Sequence, residues 1–193
     1  MVYGGPAGEL GASLRYLTQR YIMPDDISKG LLTDIGTEEL GHLEMVGTLV
    51  AQLGGGAPPK EWTNMQSWEY YADNGASVGV QSSQGSPFNA ASIGVTGDPL
   101  TNLYENLAAE QKARTAYDNI LRLSDDADVN EVIKFLRQRE VVHFQRFGEA
   151  NHTNLRRISA YKTCLDNNRP STYSIKKSQS RPFEFRKKFL NPV

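Results

Sequence analysis

Apolar side chains recur at helical spacing, three and four residues apart, in four separate stretches of the chain. The stretches run from about Leu10 to Tyr21, from Pro24 to Leu53, from Asp98 to Ile120 and from Asp128 to Ala150. Helix-start signals precede the later ones: Asp25 lies before the second stretch, and Asp98-Pro99 opens the third. The pattern predicts an all-α protein in which four helices pack their apolar faces together.

Two of these helices carry charged or polar residues where the pattern calls for apolar ones. In the second helix, Glu39 and His42 lie in line with Ile35 and Val46, and in the fourth helix Glu140 and His143 interrupt the seam in the same way. A carboxylate and an imidazole that point into a core are costly unless something compensates them. A Glu-x-x-His pair places both ligands on one helix face, so a metal ion is the expected compensation.

The first and third helices each offer one further inward acid. Glu9 lies beside the apolar stripe of the first helix, and Glu110 lies on the seam of the third. Four carboxylates and two imidazoles are therefore expected in one core layer, where the carboxylates repel unless they are protonated or bridged by cations. Two divalent ions would neutralise them. A buried network of Glu and His without metal is the structural alternative.

Residues 54–98 form one long connection that is rich in Gly, Ser, Asn and Pro. A link of this length exceeds what a helical hairpin needs, and a crossover would let the second and third helices run parallel. The fold class is therefore a ferritin-like four-helix bundle with a long crossover between helices 2 and 3. Within the connection, the alternation over residues 76–80 indicates a short strand.

Charge divides the chain at about residue 150, although the net charge is only -1. Residues 1–150 carry 11 basic and 20 acidic side chains, whereas residues 151–193 carry 10 basic and 2 acidic ones. We predict a ferritin-like dimetal domain over residues 1–150 and a basic, poorly ordered tail over residues 151–193. The alternative for the tail is binding to an acidic neighbour, such as the acidic body of another copy.

Composition excludes several other classes of protein. The single cysteine, Cys164, rules out an intrachain disulfide framework and a Cys-x-x-Cys metal site. No apolar run approaches membrane-spanning length, and the N-terminus lacks a secretion signal, so we expect neither a membrane protein nor a secreted one. No motif supports nucleic-acid binding, and no organic cofactor is indicated.

Four motifs, in this order, resemble the metal-binding helices of manganese catalases. They are YGGPAGEL at residues 3–10, TEELGH at residues 37–42, LAAEQKAR at residues 107–114 and REVVH at residues 139–143. The chain is most similar to the short spore-coat members of that family. The resemblance covers residues 3–150 and then stops, so we interpret residues 151–193 as a frame-shifted or otherwise unrelated terminus.

The resemblance implies a role for each inward residue. Glu9, Glu39 and His42 would ligate one manganese ion, and Glu39, Glu110 and His143 the other, with Glu39 bridging them. Glu140 would be a catalytic base that hydrogen-bonds metal-bound solvent, and Tyr16 would match a family tyrosine that lies just outside the ligands. Ala109 departs from the arginine that some members have before the third-helix glutamate, which affects the expected rate more than the expected metal.

The resemblance also implies a function: disproportionation of hydrogen peroxide to oxygen and water at two manganese ions per chain. The alternatives are a structural spore-coat metalloprotein with little activity and a di-iron peroxidase or oxidase, because Glu and His accept iron as well. The expected partners are hydrogen peroxide, further copies in a homo-oligomer (a hexamer by resemblance) and spore-coat proteins. The expected location is the cytoplasm or the spore coat of a spore-forming bacterium.

Overall fold

The computed structural model describes residues 2–5, 8–55, 72–73, 77–78, 80 and 88–167. The chain divides into two units, Met1–Arg157 and Ile158–Val193. The architecture below is that of the first unit. The predicted division at residue 150 into a dimetal domain and a tail stays a prediction, and residues 168–193 of that tail lie outside the described residues.

Four α-helices make up nearly all of the described chain. They are α1 (Glu9–Gln19), α2 (Asp26–Leu53), α3 (Pro99–Leu123) and α4 (Ala127–Asn167). Short 3-10 turns at Arg20–Ile22 and Ala90–Ser92 follow α1 and precede α3. None of the helices in the described ranges combines the length and apolar character that crossing a bilayer requires.

The two long middle helices begin at the predicted start signals. The Asp25 carboxylate accepts a hydrogen bond from the backbone N–H of Ser28 at 2.9 Å, and Asp98 accepts one from Thr101 at 2.6 Å. Each carboxylate satisfies an N–H group that the first helical turn leaves without an intrahelical acceptor. Pro99 fills the first helical position of α3, where its missing N–H costs nothing.

Contacts between the helices fix their directions. Helix α1 is antiparallel to α2, because Ser13 bonds the Gly36 carbonyl while Tyr3 contacts Gly47. It is also antiparallel to α3, where Tyr16 meets Glu110 and Glu9 meets Tyr117. Helices α2 and α3 therefore run parallel, which requires a crossover between them. The predicted bundle with a long connection from helix 2 to helix 3 is confirmed.

Two apolar clusters lie at opposite ends of the bundle core. One contains Tyr3, Val46, Tyr117, Ile133 and Leu136, and the other contains Tyr16, Met23, Leu32, Ile35, Leu103 and Phe147. On α2, Val46 is the buried residue of the first cluster, and Ile35 is the buried residue of the second cluster that lies nearest to it. The inward polar residues between these positions therefore occupy a layer with apolar packing on both sides, which keeps water out of it.

Two of the four glycines in α2 allow close helix packing. A methyl group added at Gly36 would lie 2.9 Å from Cγ of Leu17, and one added at Gly47 would lie 3.0 Å from the Tyr3 hydroxyl. At Gly30 and Gly41 the same methyl group would meet nothing within 4 Å. Close approach therefore explains only half of the glycines that interrupt this helix.

The crossover contains a small antiparallel strand pair. Strand β1 (Ala72–Asp73) pairs with β2 (Ser77–Val78), with Ala72 opposite Val78. The strand predicted over residues 76–80 is thus present in shorter form. Residues 56–71 and 81–87, which include both tryptophans, lie outside the described residues.

The predicted end of the fourth helix at about Ala150 is wrong, because α4 continues to Asn167. The seam continues past Phe147 through Asn151 and Asn154, which are 4% and 3% exposed. Asn154 donates to the Ala150 carbonyl at 2.9 Å and to the Ser28 hydroxyl of α2 at 3.4 Å. Asparagines at buried seam positions remove the apolar period, which is why the sequence pattern ended too early.

Candidate metal centre

All six inward residues predicted from the sequence lie in one buried layer. Helix α1 supplies one of them from its first turn, α3 supplies one from its middle, and α2 and α4 each supply a Glu-x-x-His pair. Each residue is at most 3% exposed: Glu9, Glu39, His42, Glu110, Glu140 and His143. The helical seams that bury the apolar neighbours of these residues also bury their polar side chains.

The six residues form two overlapping groups of four. Within each group, one carboxylate oxygen or ring nitrogen per residue lies within 4.8 Å of the others. The first group is Glu9, Glu39, His42 and Glu140, and the second is Glu39, Glu110, Glu140 and His143. Glu39 and Glu140 belong to both groups.

Glu39 lies between the two imidazoles. Its Oε2 is 2.7 Å from Nδ1 of His42, and its Oε1 is 2.8 Å from Nδ1 of His143. The two rings stack with their centroids 5.6 Å apart and an interplanar angle of 21°. Both rings therefore turn Nδ1 toward the same carboxylate, one on each oxygen.

The remaining carboxylates complete the surroundings of each Nδ1 atom. Oxygens of Glu140 and Glu9 lie 3.7 Å and 3.8 Å from Nδ1 of His42. On the other side, Oε2 of Glu110 lies 3.5 Å from Nδ1 of His143. These separations are too long for hydrogen bonds but suit atoms that share a cation.

Several buried polar atoms of the layer have no hydrogen-bond partner among the described residues. They are Oε1 of Glu39, Oε2 of Glu110, Oε1 of Glu140 and Nδ1 of His143. Leaving such atoms unpaired costs about 1–3 kcal/mol each, so these atoms are candidates to bind a metal ion. Carboxylate oxygens with imidazole nitrogens are a donor set that manganese and iron accept, so the residues present fit a pair of such ions.

The pKa shifts of these residues show how burial and neighbouring charges act on the layer without cations. Burial raises the pKa of Glu9, and the neighbouring Glu39 carboxylate raises it further. Burial together with the charge of Glu110 raises the pKa of Glu140 in the same way. Burial alone would lower the pKa of His143, but the neighbouring carboxylates of Glu110 and Glu39 raise it to about 10. The metal-free layer therefore retains protons that bound cations would displace.

Two tyrosines hold the glutamates that α1 and α3 contribute. The Tyr16 hydroxyl of α1 donates to Oε1 of Glu110 on α3, and the Tyr117 hydroxyl of α3 donates to Oε1 of Glu9 on α1. Both tyrosines are fully buried. Sequence reasoning named Tyr16 but missed Tyr117. The available signal was spacing, because each tyrosine follows the glutamate of its own helix by seven residues.

Glu38, which lies off the seam of α2, forms a two-pronged ion pair with Arg139 of α4. Arg139 Nε lies 2.5 Å from Oε1 and Nη2 lies 3.1 Å from Oε2. Burial would raise the pKa of Glu38, but the hydrogen bonds from Arg139 and the nearby His143 ring lower it to about 2. Glu38 is therefore an ionised carboxylate at the edge of the centre, and the sequence pattern gave no sign of this position.

A small cavity opens onto the centre between α1 and α3. Its volume is about 10 Å³, which is close to the minimum needed for one water molecule. It is lined by Glu9, Ala12, Arg15, Tyr16, Ala109, Glu110, Ala113 and Glu140. Three alanines keep this space open, and buried Arg15 brings a positive charge to its wall. The cavity borders three carboxylates of the layer: those of Glu9, Glu110 and Glu140.

Known proteins resemble this chain in both sequence and fold. A family model described as "Manganese containing catalase" matches residues 1–191. "Protein CotJC" of Bacillus subtilis (strain 168) is 47% identical over 148 residues, which cover 77% of this chain and 78% of that protein. A "Probable manganese catalase" of Clostridium acetobutylicum is 37% identical over 147 residues, which cover 76% of this chain and 65% of that protein.

A solved structure agrees with these matches. Wild-type KatB, a manganese catalase from Anabaena, superposes with a TM-score of 0.69 and 28% sequence identity, covering 90% of this chain and 74% of KatB. The family match continues to residue 191, so the expectation that the resemblance stops at Ala150 is wrong, and the match speaks against an unrelated terminus. By sequence and by fold, this chain belongs to the manganese-containing catalase family.

Proposed function

We propose that this protein is a manganese catalase that converts two molecules of hydrogen peroxide into oxygen and two waters at a dinuclear centre. One observation carries the proposal: six buried ligand-type side chains from four helices meet in one layer, with Glu39 in contact with both imidazoles. Membership in the family supports manganese as the metal.

The proposed ligand sets are the two groups without Glu140, divided as the family resemblance implies. Glu9, Glu39 and His42 would hold one ion, and Glu39, Glu110 and His143 would hold the other. Three carboxylates bind the two ions and offset most of their charge, which resolves the repulsion within the layer. Held by these residues, a manganese pair would supply the two-electron redox change that the reaction needs.

Glu140 is the candidate for moving protons. Its Oε1 lacks a hydrogen-bond partner, and its side chain lines the cavity beside both groups. Oxidation of one peroxide to oxygen releases two protons, and reduction of the second to two waters consumes two. A carboxyl whose free oxygen lies beside the cavity is placed to take up and return such protons. Glu140 is therefore proposed as a proton carrier and not as a ligand.

A structural coat protein with little activity is the second candidate. It is favoured by the cavity volume of about 10 Å³, which leaves little space for substrate exchange, and by the resemblance to short spore-coat members. That candidate places the protein in the spore coat among coat proteins, whereas the enzyme also suits the cytoplasm of a spore-forming bacterium. A di-iron peroxidase or oxidase is a third possibility, because the ligand types accept both metals.

Assembly is a separate proposal. The family resemblance implies a homo-oligomer, with a hexamer as the expected size. Light scattering of the purified full chain measures this directly, and a monomer that nevertheless releases oxygen would show that assembly is not required.

The test combines metal analysis with oxygen release from added peroxide. Wild-type protein should contain about two manganese ions per chain and release oxygen, and Glu39→Ala should lose both properties because both ions lose a ligand. Glu44→Ala is the matched control, since Glu44 is exposed on the same helix. Glu140→Gln should keep its metal and lose oxygen release.

Each other outcome selects an alternative. Manganese without oxygen release favours the structural coat protein, and iron in place of manganese favours the di-iron enzyme. A folded wild-type protein that binds neither metal would refute the metal centre itself.

A further inference from the structure

Glu38 lies where the outer nitrogens of both histidines point. Its Oε2 is 3.1 Å from Nε2 of His143, and its Oε1 is 3.6 Å from Nε2 of His42. Both Nε2 atoms are buried, and neither has a well-aligned hydrogen bond among the described residues. One carboxylate thus faces two unpaired ring nitrogens, one with each oxygen.

The other nitrogen of each ring, Nδ1, faces Glu39, at 2.7 Å for His42 and 2.8 Å for His143. An imidazole that ligates through Nδ1 carries its proton on Nε2, and that N–H needs an acceptor to fix the ring. The stacked rings present their two Nε2 atoms side by side, so a single carboxylate spans both.

Arg139 fixes the carboxylate in this position. Its guanidinium contacts both oxygens of Glu38, at 2.5 Å and 3.1 Å, and ties α2 to α4 at the level of the histidines. A two-pronged arginine pair sets the plane of a carboxylate as well as its place. Glu38 is 29% exposed, so it keeps some contact with solvent while it faces the buried rings.

Adjacent residues explain how the two layers are built. Glu38 precedes Glu39, and Arg139 precedes Glu140, so each helix turns one residue into the centre and its neighbour toward the other helix. The Glu38–Arg139 pair therefore forms a second layer directly behind the histidines, contributed equally by α2 and α4.

We propose that, in the metal-bound protein, the Glu38 carboxylate is a shared positioning group that accepts hydrogen bonds from Nε2–H of both His143, 3.1 Å away, and His42, which closes from its present 3.6 Å. It thereby holds both rings in the form that presents Nδ1 to the metals. This proposal rests on the proposed two-metal centre. Because one group serves both ligands, its loss should affect both metal positions together.

The test reads the ring nitrogens directly in full-length protein labelled with ¹⁵N-histidine. Zn²⁺ replaces manganese because it is diamagnetic and binds the same donor types. The chain has three histidines, and exposed His152 serves as the internal reference. In the wild type, long-range ¹H–¹⁵N spectra should show both buried rings protonated at Nε2 when Zn²⁺ is bound.

Glu38→Gln should move the Nε2–H signals of both buried rings, leave His152 unchanged and weaken Zn²⁺ binding about 10- to 100-fold. Glu44→Gln, on the same helix, should change neither signals nor affinity. Glu38→Asp keeps the charge but is too short to span both rings, so at least one ring signal should move. It serves as the test if Glu38→Gln does not fold.

Three results would overturn the proposal. Unchanged ring signals and affinity in both Glu38 variants would show that Glu38 is only part of a surface ion pair. Movement of a single ring in Glu38→Gln would refute the sharing. A lower unfolding temperature with unmoved ring signals would mean a purely structural role. Failure of the wild type to bind Zn²⁺ or manganese would instead refute the metal centre on which the proposal rests.

Discussion

Tyr117→Phe removes one hydroxyl from the bundle core and leaves a buried carboxyl without its donor. The Tyr117 hydroxyl donates to Oε1 of Glu9, whose other oxygen lies 3.8 Å from the nearest ring nitrogen, beyond hydrogen-bond distance. Tyr117 is fully buried and Glu9 is 3% exposed, so water does not readily replace the lost hydroxyl. Leaving a buried acceptor unsatisfied costs about 1–3 kcal/mol.

The assay is urea unfolding of the metal-free protein, followed by circular dichroism. For a chain of this size each kcal/mol lowers the melting temperature by about 2–4 °C, so thermal unfolding gives an independent check. Tyr104→Phe is the matched control, because Tyr104 lies on the same helix and is 54% exposed. Equal unfolding free energies for the two variants would refute the reasoning, since they would show that the buried hydroxyl contributes nothing to stability.

The same variant has a second readout in the presence of manganese. A metal that binds only the folded protein stabilises it according to its concentration and affinity. If Glu9 is a ligand and Tyr117 orients it, Tyr117→Phe should gain less stability from manganese than the wild type gains. An equal gain would separate Tyr117 from metal binding and leave it a purely structural role.

Two further predictions concern stability. Gly36→Ala should destabilise the protein by about 1–3 kcal/mol, because its methyl group would lie 2.9 Å from Leu17, whereas Gly30→Ala should stabilise it by up to about 1 kcal/mol. Urea unfolding measures both, and an equal gain would contradict the packing argument. The hydrogen bond from Arg137 lowers the pKa of Asp118, so this pair stabilises the protein above the unfolded pKa of about 3.9, and the effect is lost as pH falls through the lower folded pKa. Asp118→Asn should therefore be less stable than wild type at pH 7, by under about 1 kcal/mol, and the difference should shrink as the pH falls below about 3.9; a difference that does not change with pH would contradict this.

The helices and the inward residues were predictable because both depend on local periodicity. Glu39 and His42 stand out in the sequence because they lie in line with Ile35 and Val46, on a helix face where apolar side chains are expected. The direction of a side chain on a helix follows from spacing alone. The crossover followed from the length of the connection, and the structure confirms the parallel helices that it allows.

The features that were missed depend on contacts between distant helices. Tyr117 appears in sequence as an ordinary core residue, and only its contact with Glu9 shows another role. Glu38 lies off the seam of α2, so its position depends on how α4 packs against that helix. The end of α4 was missed for a different reason, since Asn151 and Asn154 are buried polar residues in an otherwise apolar pattern.

The arrangement of the ligands along the chain has a consequence for the order of folding. The hydrogen bonds that hold Glu9 and Glu110 join residues that are 108 and 94 positions apart. The α1–α2 and α3–α4 halves each contain a glutamate and a Glu-x-x-His pair, but the tyrosine that holds each half's glutamate belongs to the other half. Contacts this distant form late, after the shorter loops have closed. The α1–α2 half alone contains Glu9, Glu39 and His42 but lacks the Tyr117 hydroxyl that holds Glu9. The second proposed site needs Glu39 together with Glu110 and His143, so it forms only when the two halves dock.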